Sequence, residues 1–326
     1  MTGLDWPRST VLVAGGAGFV GSTLVRRLVD KGARVVSFDD YSTGSPSHLP
    51  KSRQVEAIRA DARDRLKVLE TMRAHRIDYV FDCIGDTFVP EAYELPQRFF
   101  EVNLGTTLNI LRAAHEAGIR RVLYVSSTEV YGETTTERTD ENCRLHPVNT
   151  YAVSKLAADR LCYTYHLEHG LPVLIARIFN CYGPRATHPY VIPEIIRQLS
   201  YGGQLELGNT SAERDFTYVD DTARALIALM ESDVADGDVV NVGSGEAHSV
   251  ASLVTRLARI MEVSNVEVER DPTRLRRHDI SRFCADSGKL RRATGWEPLV
   301  PIDVGLRRTV DWFRQNGCCW HWMRSE

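Results

Sequence analysis

An apolar, β-prone run, Ser9-Thr-Val-Leu-Val-Ala14, passes without a spacer into Gly15-Gly-Ala-Gly-Phe-Val-Gly21. The stretch that follows, Ser22-Thr-Leu-Val-Arg-Arg-Leu-Val-Asp30, carries leucines and valines at helical spacing. A strand, a tight turn and a helix start are therefore packed into very little chain. Glycines 15, 18 and 21 allow the turn, let the backbone approach a pyrophosphate and seat the helix on the strand. The helix N-terminus, at Phe19, Val20 and Gly21, supplies amide donors and the positive end of a dipole. The spacing is Gly-x-x-Gly-x-x-Gly rather than the commoner Gly-x-Gly-x-x-Gly.

A second run, Arg34-Val-Val-Ser-Phe38, ends at Asp39, eighteen residues after Gly21. A dinucleotide fold puts the carboxylate that accepts the adenosine ribose hydroxyls at this point. Asp40 follows and no arginine adjoins, so a 2′-phosphate meets repulsion, and the expected cofactor is NAD rather than NADP. Further strand-like runs recur at 55–59, 79–83, 122–126 and 173–177. Helix-patterned segments at 63–75, 97–117 and 150–169 separate them. Such alternation predicts an α/β chain, a Rossmann-type doubly wound parallel sheet with helices on both faces. Ligands in these sheets lie beyond the carboxyl ends of the strands. Gly15–Gly21, Asp39, Asp61, Gly85, Ser127–Glu129 and Asn180 all fall there. After Asn180 glycine punctuation shortens the elements, which predicts a smaller C-terminal α/β substrate domain.

The chain of 326 residues is long enough for a large core, and its formal net charge of −3 carries no nucleic-acid signature. The basic cluster Arg274-Leu-Arg-Arg277 is too short to argue for one, though it suits a phosphate. No apolar run reaches the length of a membrane span, and the start lacks the build of a signal peptide, so the expected compartment is the cytoplasm. Seven scattered cysteines suit reduced thiols. Cys318, Cys319 and His321 lie close in sequence, but adjacent thiols are poor tetrahedral partners and no metal is expected.

Tyr151 and Lys155, in Asn149-Thr-Tyr-Ala-Val-Ser-Lys155, are one helical turn apart and share a face. An ammonium beside a phenol favours the phenolate that a proton-abstracting tyrosine must become. Alone, such a pair is a weak signal that reads first as solvated side chains on an amphipathic helix; the upstream glycine turn is what favours hydride chemistry on a bound dinucleotide.

The glycine turn, Tyr151 with Lys155, Val125-Ser-Ser-Thr-Glu-Val-Tyr-Gly132, Arg177-Ile-Phe-Asn-Cys-Tyr-Gly-Pro-Arg185 and Arg214-Asp-Phe-Thr-Tyr-Val-Asp-Asp221 together resemble the extended short-chain dehydrogenase/reductases. These are the NAD-dependent epimerases and dehydratases of nucleotide sugars, and the resemblance runs from about residue 9 to about residue 315. It implies an NAD-binding part at 1–180, which takes back part of 215–243, and a part at 181–326 that mainly binds a nucleotide diphosphate sugar. It also implies that Asp39 and Asp40 flank the adenosine ribose, that Asp61 and Ala62 cap the adenine and that Asn103 lies near the cofactor. Tyr151 would remove the sugar 4-hydroxyl proton with Ser127 on the same oxygen, while Lys155 would hold the nicotinamide ribose. Asn180, Arg185, Arg214 and Arg276 would face the sugar or its phosphates; the plainer reading of Arg214 and Arg276 is as surface arginines. Two long helical segments, 97–117 and 150–169, resemble a dimer-forming pair, which implies a homodimer.

Two departures stand out. Asp82-Cys-Ile-Gly85 replaces the His-Leu-Ala-Ala of many relatives, and Asp86 then adds a carboxylate to the substrate side, although Gly85 still permits close backbone approach. Ala14 stands where a threonine is common.

The expected reaction turns on Ser127-Thr128-Glu129. A 4-epimerase has no obvious use for the acid, whereas a 4,6-dehydratase needs one, because a carbon 5 proton must leave and a carbon 6 hydroxyl must be protonated. The triplet resembles the Thr-Ser-Glu of dehydratases that act on guanosine mannose or uridine amino sugars. The same pattern occurs in uridine glucuronate decarboxylases, so dehydratase, epimerase and decarboxylase all stay open. Glu129 also reads as a structural carboxylate at a strand end, and a non-catalytic NAD-binding sensor is the reading from another class.

Overall fold

The computed structural model describes residues 4–276 and 278–317; Cys318, Cys319, His321 and Arg277 lie outside them. Its centre is a seven-stranded sheet built from β1 (Thr10–Ala14), β2 (Arg34–Asp39), β3 (Val55–Arg59), β4 (Tyr79–Asp82), β5 (Arg121–Ser127), β6 (Val173–Ile178) and a late strand, β10 (Val239–Val242). The order is β3-β2-β1-β4-β5-β6-β10 and every pairing is parallel. The expected doubly wound α/β fold is thus what the chain forms. Val11, Leu12 and Val13 are all buried, as a parallel strand covered on both faces requires.

One face is covered by α1 (Phe19–Asp30) and α8 (Val219–Glu231), where Leu24, Leu28, Leu226 and Met230 meet the sheet. The other is covered by α2 (Arg65–Ala74), α5 (Thr107–Ala117) and α6 (Thr150–His169), through Met72, Ile110, Leu111, Ala158 and Cys162. Left-handed glycines, Gly118 and Gly170, end α5 and α6. Between β4 and α5 lie the short helices α3 (Val89–Glu94) and α4 (Pro96–Phe100).

A single helix over 97–117 is not what forms. A π-helical stretch, Glu101–Thr106, separates α4 from α5. The wider turn carries Asn103 inward, fully buried, where its carboxamide accepts from the Asp86 amide at 2.8 Å and donates to the Asp86 carbonyl at 3.0 Å.

The remaining elements are β7 (Asn180–Tyr182), α7 (Val191–Leu199), β8 (Gln204–Leu207), β9 (Glu213–Tyr218), β11 (Ala247–Ser249), α9 (Val250–Met261), β12 (Glu267–Arg270), β13 (Arg282–Phe283), α10 (Gly288–Thr294) and α11 (Ile302–Asn316). β9 pairs with β7, β11 and β13, and β8 with β12. α7, α9 and α11 close a separate core around Ile195, Leu253, Leu257 and Leu306.

Below the ends of β5 and β6 a buried polar network fixes the floor of the site. The Arg177 guanidinium donates to both Asp159 oxygens, at 2.9 and 3.1 Å, and to the Tyr131 hydroxyl at 3.0 Å; Tyr131 donates to Asn241 at 2.7 Å. Burial works against the Asp159 charge, but Arg177 and Arg160 hold its carboxyl below the ordinary range. Breaking such a pair by removing one partner strands the other charge. Arg177→Met is expected to cost about 3–5 kcal/mol in denaturant unfolding, with an unaltered midpoint counting against a buried pair.

Candidate functional site

The β1, β2 and β4 ends are in register, Ala14 beside Phe38 on one side and Asp82 on the other. Gly15, Asp39 and the 83–86 segment therefore emerge at one edge. They open into a cavity of about 910 Å³ that continues past Ser127, Tyr151 and Asn180 to Leu207, Arg214 and Arg276.

At the glycine turn, Gly15 has φ +73° and a Cβ there would press on the Cys83 carbonyl at 3.0 Å. A Cβ at Gly21 would collide with the Gly15 carbonyl oxygen. Gly16 is equally constrained, by the Ser37 hydroxyl, and Gly44 by the Ala17 backbone; sequence reading passed over both. No side chain caps α1, whose first turn, Phe19, Val20 and Gly21, faces the cavity with Gly18. Asp39 is buried and accepts from the Ala17 and Tyr41 amides at 2.9 and 2.8 Å; the left-handed φ of Tyr41, +62°, turns its amide back. Burial raises the Asp39 carboxyl against those donors. Asp40 and Ala62 share this wall with Asp61, which Arg63 pairs at 2.7 Å. Uncapped helical amides next to a preset carboxylate fit a pyrophosphate and a ribose diol, so the residues present suit a dinucleotide.

Gly85 and Asp86 line the next section. Asp86 is neutralised by Arg98, Nε to Oδ2 at 2.7 Å, though burial still pushes its carboxyl up. Arg98 was not anticipated; nothing in the sequence marks a partner twelve residues away across two short helices. Asn103 does not face the cavity. It clamps the Asp86 backbone from behind and donates to the Ser154 hydroxyl at 2.9 Å, which ties this loop to α6.

In the centre, Ser127, Thr128, Glu129 and Tyr151 share the wall. Tyr151 is 7% exposed; burial drives its phenol well up, opposed first by the Ser127 hydrogen bond, while the Glu129 charge adds to the rise. Lys155 lies on the same helix face but does not reach the cavity. Its ammonium donates to the Val125 carbonyl at 2.6 Å and sits 4.4 Å from the Tyr124 ring centroid. Burial brings Lys155 down to about 8, opposed mainly by Asp82, which burial in turn raises to about 6. Asp82 is thus the buried counter-charge of Lys155. Glu129 accepts from Asn149 at 3.1 Å and from Arg276 at 3.3 Å. The Thr128 hydroxyl and the Asn180 carboxamide oxygen are buried without partners among the described residues, and Asn180 lines the cavity.

At the far end Arg214 pairs with Asp279 at 3.0 Å and Arg274 with Glu194 at 2.9 Å. Arg185 is directed elsewhere: with φ +67° it turns onto α1 and donates to Ser22 and Thr23 at 3.3 and 2.8 Å. Among the described residues no cluster of three or more His, Cys, Asp or Glu side chains suits a metal ion, and no helix is long and apolar enough to cross a membrane.

A family profile described as "GDP-mannose 4,6 dehydratase" matches residues 12–309. The dTDP-D-glucose 4,6-dehydratase of Mus musculus is 31% identical over 321 residues, covering 95% of this chain and 90% of that protein. The UDP-N-acetyl-alpha-D-glucosaminuronate decarboxylase of Bacillus cytotoxicus is 33% identical over 317 residues, covering 93% and 97%. The UDP-glucose 4-epimerase of Thermus thermophilus, solved in complex with NAD, superposes with a TM-score of 0.85 at 32% identity, covering 94% and 99%. With a profile spanning nearly all of the described chain and a matching cleft, the protein belongs to the GDP-mannose 4,6-dehydratase family, the extended short-chain dehydrogenase/reductases that use NAD on nucleotide sugars.

Proposed function

We propose that this protein is a nucleotide-diphosphate-hexose 4,6-dehydratase that works through transient oxidation at sugar carbon 4. The observation that carries the reading is Glu129, a mostly buried carboxylate on the same wall as Ser127 and Tyr151, with a hydrogen bond on each oxygen. When bound, NAD supplies a hydride acceptor for carbon 4 and then a donor for carbon 6. Gly15–Gly21 and Asp39 hold its pyrophosphate and ribose. Tyr151 takes the carbon 4 hydroxyl proton, with Ser127 on the same oxygen, so that the carbon becomes a ketone. The ketone acidifies carbon 5. Glu129 takes that proton, the electron pair forms the carbon 5–carbon 6 double bond, the carbon 6–oxygen bond breaks, and the proton held by Glu129 leaves with the hydroxide as water; carbon 5 then takes a solvent-derived proton as carbon 6 is reduced. Arg214 and Arg276 stand on the diphosphate side, where guanidinium geometry suits phosphate oxygens.

A decarboxylase must hold a substrate carboxylate with a cation. With Arg214 and Arg276 assigned to the diphosphate, the other arginines of the described cavity wall are paired with acids: Arg63 with Asp61, Arg98 with Asp86 and Arg274 with Glu194. That pairing favours a neutral hexose over a uronate. A simple 4-epimerase leaves Glu129 unused. The unpaired thiols Cys83, Cys143, Cys162, Cys181 and Cys284 and the substrate class suit the cytoplasm.

Incubation with NAD and a panel of uridine, thymidine, guanosine and cytidine diphosphate hexoses in deuterated water is expected to show loss of water and deuterium at carbon 5, read by mass spectrometry and proton NMR. Inversion at carbon 4 without loss of mass, or loss of carbon dioxide, overturns the reading. Tyr151→Phe is expected to lower turnover by at least about a hundredfold while NAD still binds. Glu129→Gln is expected to oxidise carbon 4 yet stall before dehydration, so that reduced cofactor absorbance builds up.

Asp39 makes the cofactor choice testable by titration. NAD is expected to bind at least about tenfold tighter than NADP, and Asp39→Asn to narrow the gap; equal affinities for the unaltered protein refute the assignment.

Homodimerisation completes the proposal. Val153 and Leu167 on α6, with Leu95 just before α4 and Phe100 at its end, are exposed apolar side chains on neighbouring elements. Sedimentation is expected to give twice the 36.7 kDa chain mass, and Val153→Asp with Leu167→Asp to yield monomer. A monomer without substitution excludes the dimer.

A further inference from the structure

Glu129 needs more than a place in the wall. To take a proton from carbon 5 it must be ionised and aimed, although its side chain is only 13% exposed. One of its two hydrogen bonds comes from Arg276, a residue between β12 and β13 that also faces the diphosphate side. The other comes from Asn149, which the chemistry above does not use.

Asn149 is the N-cap of α6, the helix that carries Tyr151 and Lys155. Its Oδ1 accepts the Ala152 amide at 2.8 Å and its Nδ2 donates to Glu129 Oε2 at 3.1 Å. The cap fixes which end of the carboxamide faces Glu129: the oxygen is committed to the helix, so the amino group must point at the carboxylate. The backbone on either side is tied as well. The His146 amide donates to the carbonyls of Val130 and Tyr131 at 3.1 and 3.2 Å. Gly132, at φ +64°, lets the His146 carbonyl approach so closely that a Cβ there would collide with it. Serine, threonine or aspartate would cap α6 as well as asparagine. Asparagine offers the acceptor to the helix and the donor to the carboxylate from two separate atoms, whereas a serine or threonine hydroxyl carries both on one shorter-reaching oxygen.

We propose that Asn149 is the positioning residue of the elimination step, holding Glu129 aimed at carbon 5 while it caps the helix of Tyr151. This rests on the 4,6-dehydratase reading. Arg276 and Asn149 divide the work: the guanidinium on Oε1 is free to exchange onto the substrate diphosphate, and the carboxamide keeps Oε2 throughout. Among the described residues, the charged and titratable groups facing Glu129 are Arg276, Arg214 and Tyr151. Asn149 is the neutral donor among them, so it orders the carboxylate without changing the charge of the site.

The test uses Asn149→Asp, which keeps the cap but turns a donor toward Glu129 into a repelling acceptor, and Asn149→Ser, which keeps the cap but is too short to reach. With the substrate found by the panel, two rates are measured: reduced cofactor formation at carbon 4 and deuterium exchange at carbon 5. Both variants are expected to oxidise carbon 4 within about twofold of the unaltered protein and to exchange carbon 5 at least about tenfold slower. For Asn149→Asp the acid limb of the exchange profile is expected to move to higher pH, because a second carboxylate disfavours the ionised base. In a Glu129→Gln background neither substitution is expected to change the residual rate. If Asn149 only caps α6, both variants exchange carbon 5 at the original rate, or lose oxidation and exchange equally, and the proposal is overturned. If the unaltered protein exchanges no deuterium at carbon 5 with any hexose of the panel, the dehydratase reading itself fails.

Discussion

The site depends on one close approach of backbone to backbone. At the end of β1 the chain must turn into α1 within van der Waals contact of itself and of β4, and the Gly15 carbonyl leaves no room for a side chain at Gly21. That contact points the first turn of α1 at the cavity with its amides uncapped. It also brings the Ala17 amide to Asp39, so an anion site and a ribose acceptor are set by the same few atoms. Since β1 lies at the switch in strand order, the crevice opens between β1 and β4 and everything else is hung around it.

The chemistry is then a matter of charges kept in poorly solvated places. In the proposed reaction Tyr151 needs its phenolate, yet burial disfavours it, and Lys155 beneath is itself drawn down toward 8 by burial. Asp82 opposes that fall from the end of β4, itself held by the Thr107 hydroxyl at 3.0 Å. The position that reads as a departure in the sequence therefore has an electrostatic use: an acid there keeps a buried lysine charged. The same logic explains Asp86. As an isolated buried carboxylate it would be costly; paired with Arg98 it becomes a charge-compensated, oriented part of the wall.

What was legible in the sequence is what depends on local pattern. The apolar runs predict six of the seven strands of the main sheet to within a residue or so, missing the late strand β10, and strand ends carry Gly15, Asp39, Gly85, Ser127 and Asn180 to a common edge. Less legible was anything set by contacts between distant segments. The π-helical turn that sends Asn103 behind the wall has no sequence signature in an otherwise helical stretch. Arg185 ends a motif that resembles a substrate-facing loop, but a left-handed backbone aims it at α1 instead. Arg98 and Asn149 are ordinary residues until tertiary structure supplies their carboxylates.

Relatives that dehydrate, decarboxylate and epimerise share this fold at about the same level of identity, so neither the sheet nor the Ser-Tyr-Lys set distinguishes among their reactions. The distinction must come from groups that act after carbon 4 is oxidised. Epimerisation then needs only room to turn the ketone. Decarboxylation is favoured by a cation that binds the substrate carboxylate, and in the described wall the arginines not assigned to the diphosphate are already paired with acids. Elimination needs a base that can become an acid in place, held firmly enough that one proton leaves carbon 5 and departs with the carbon 6 oxygen. Glu129, bonded on one oxygen from Asn149 and on the other from the long Arg276 side chain, is the group on which the dehydratase proposal therefore rests.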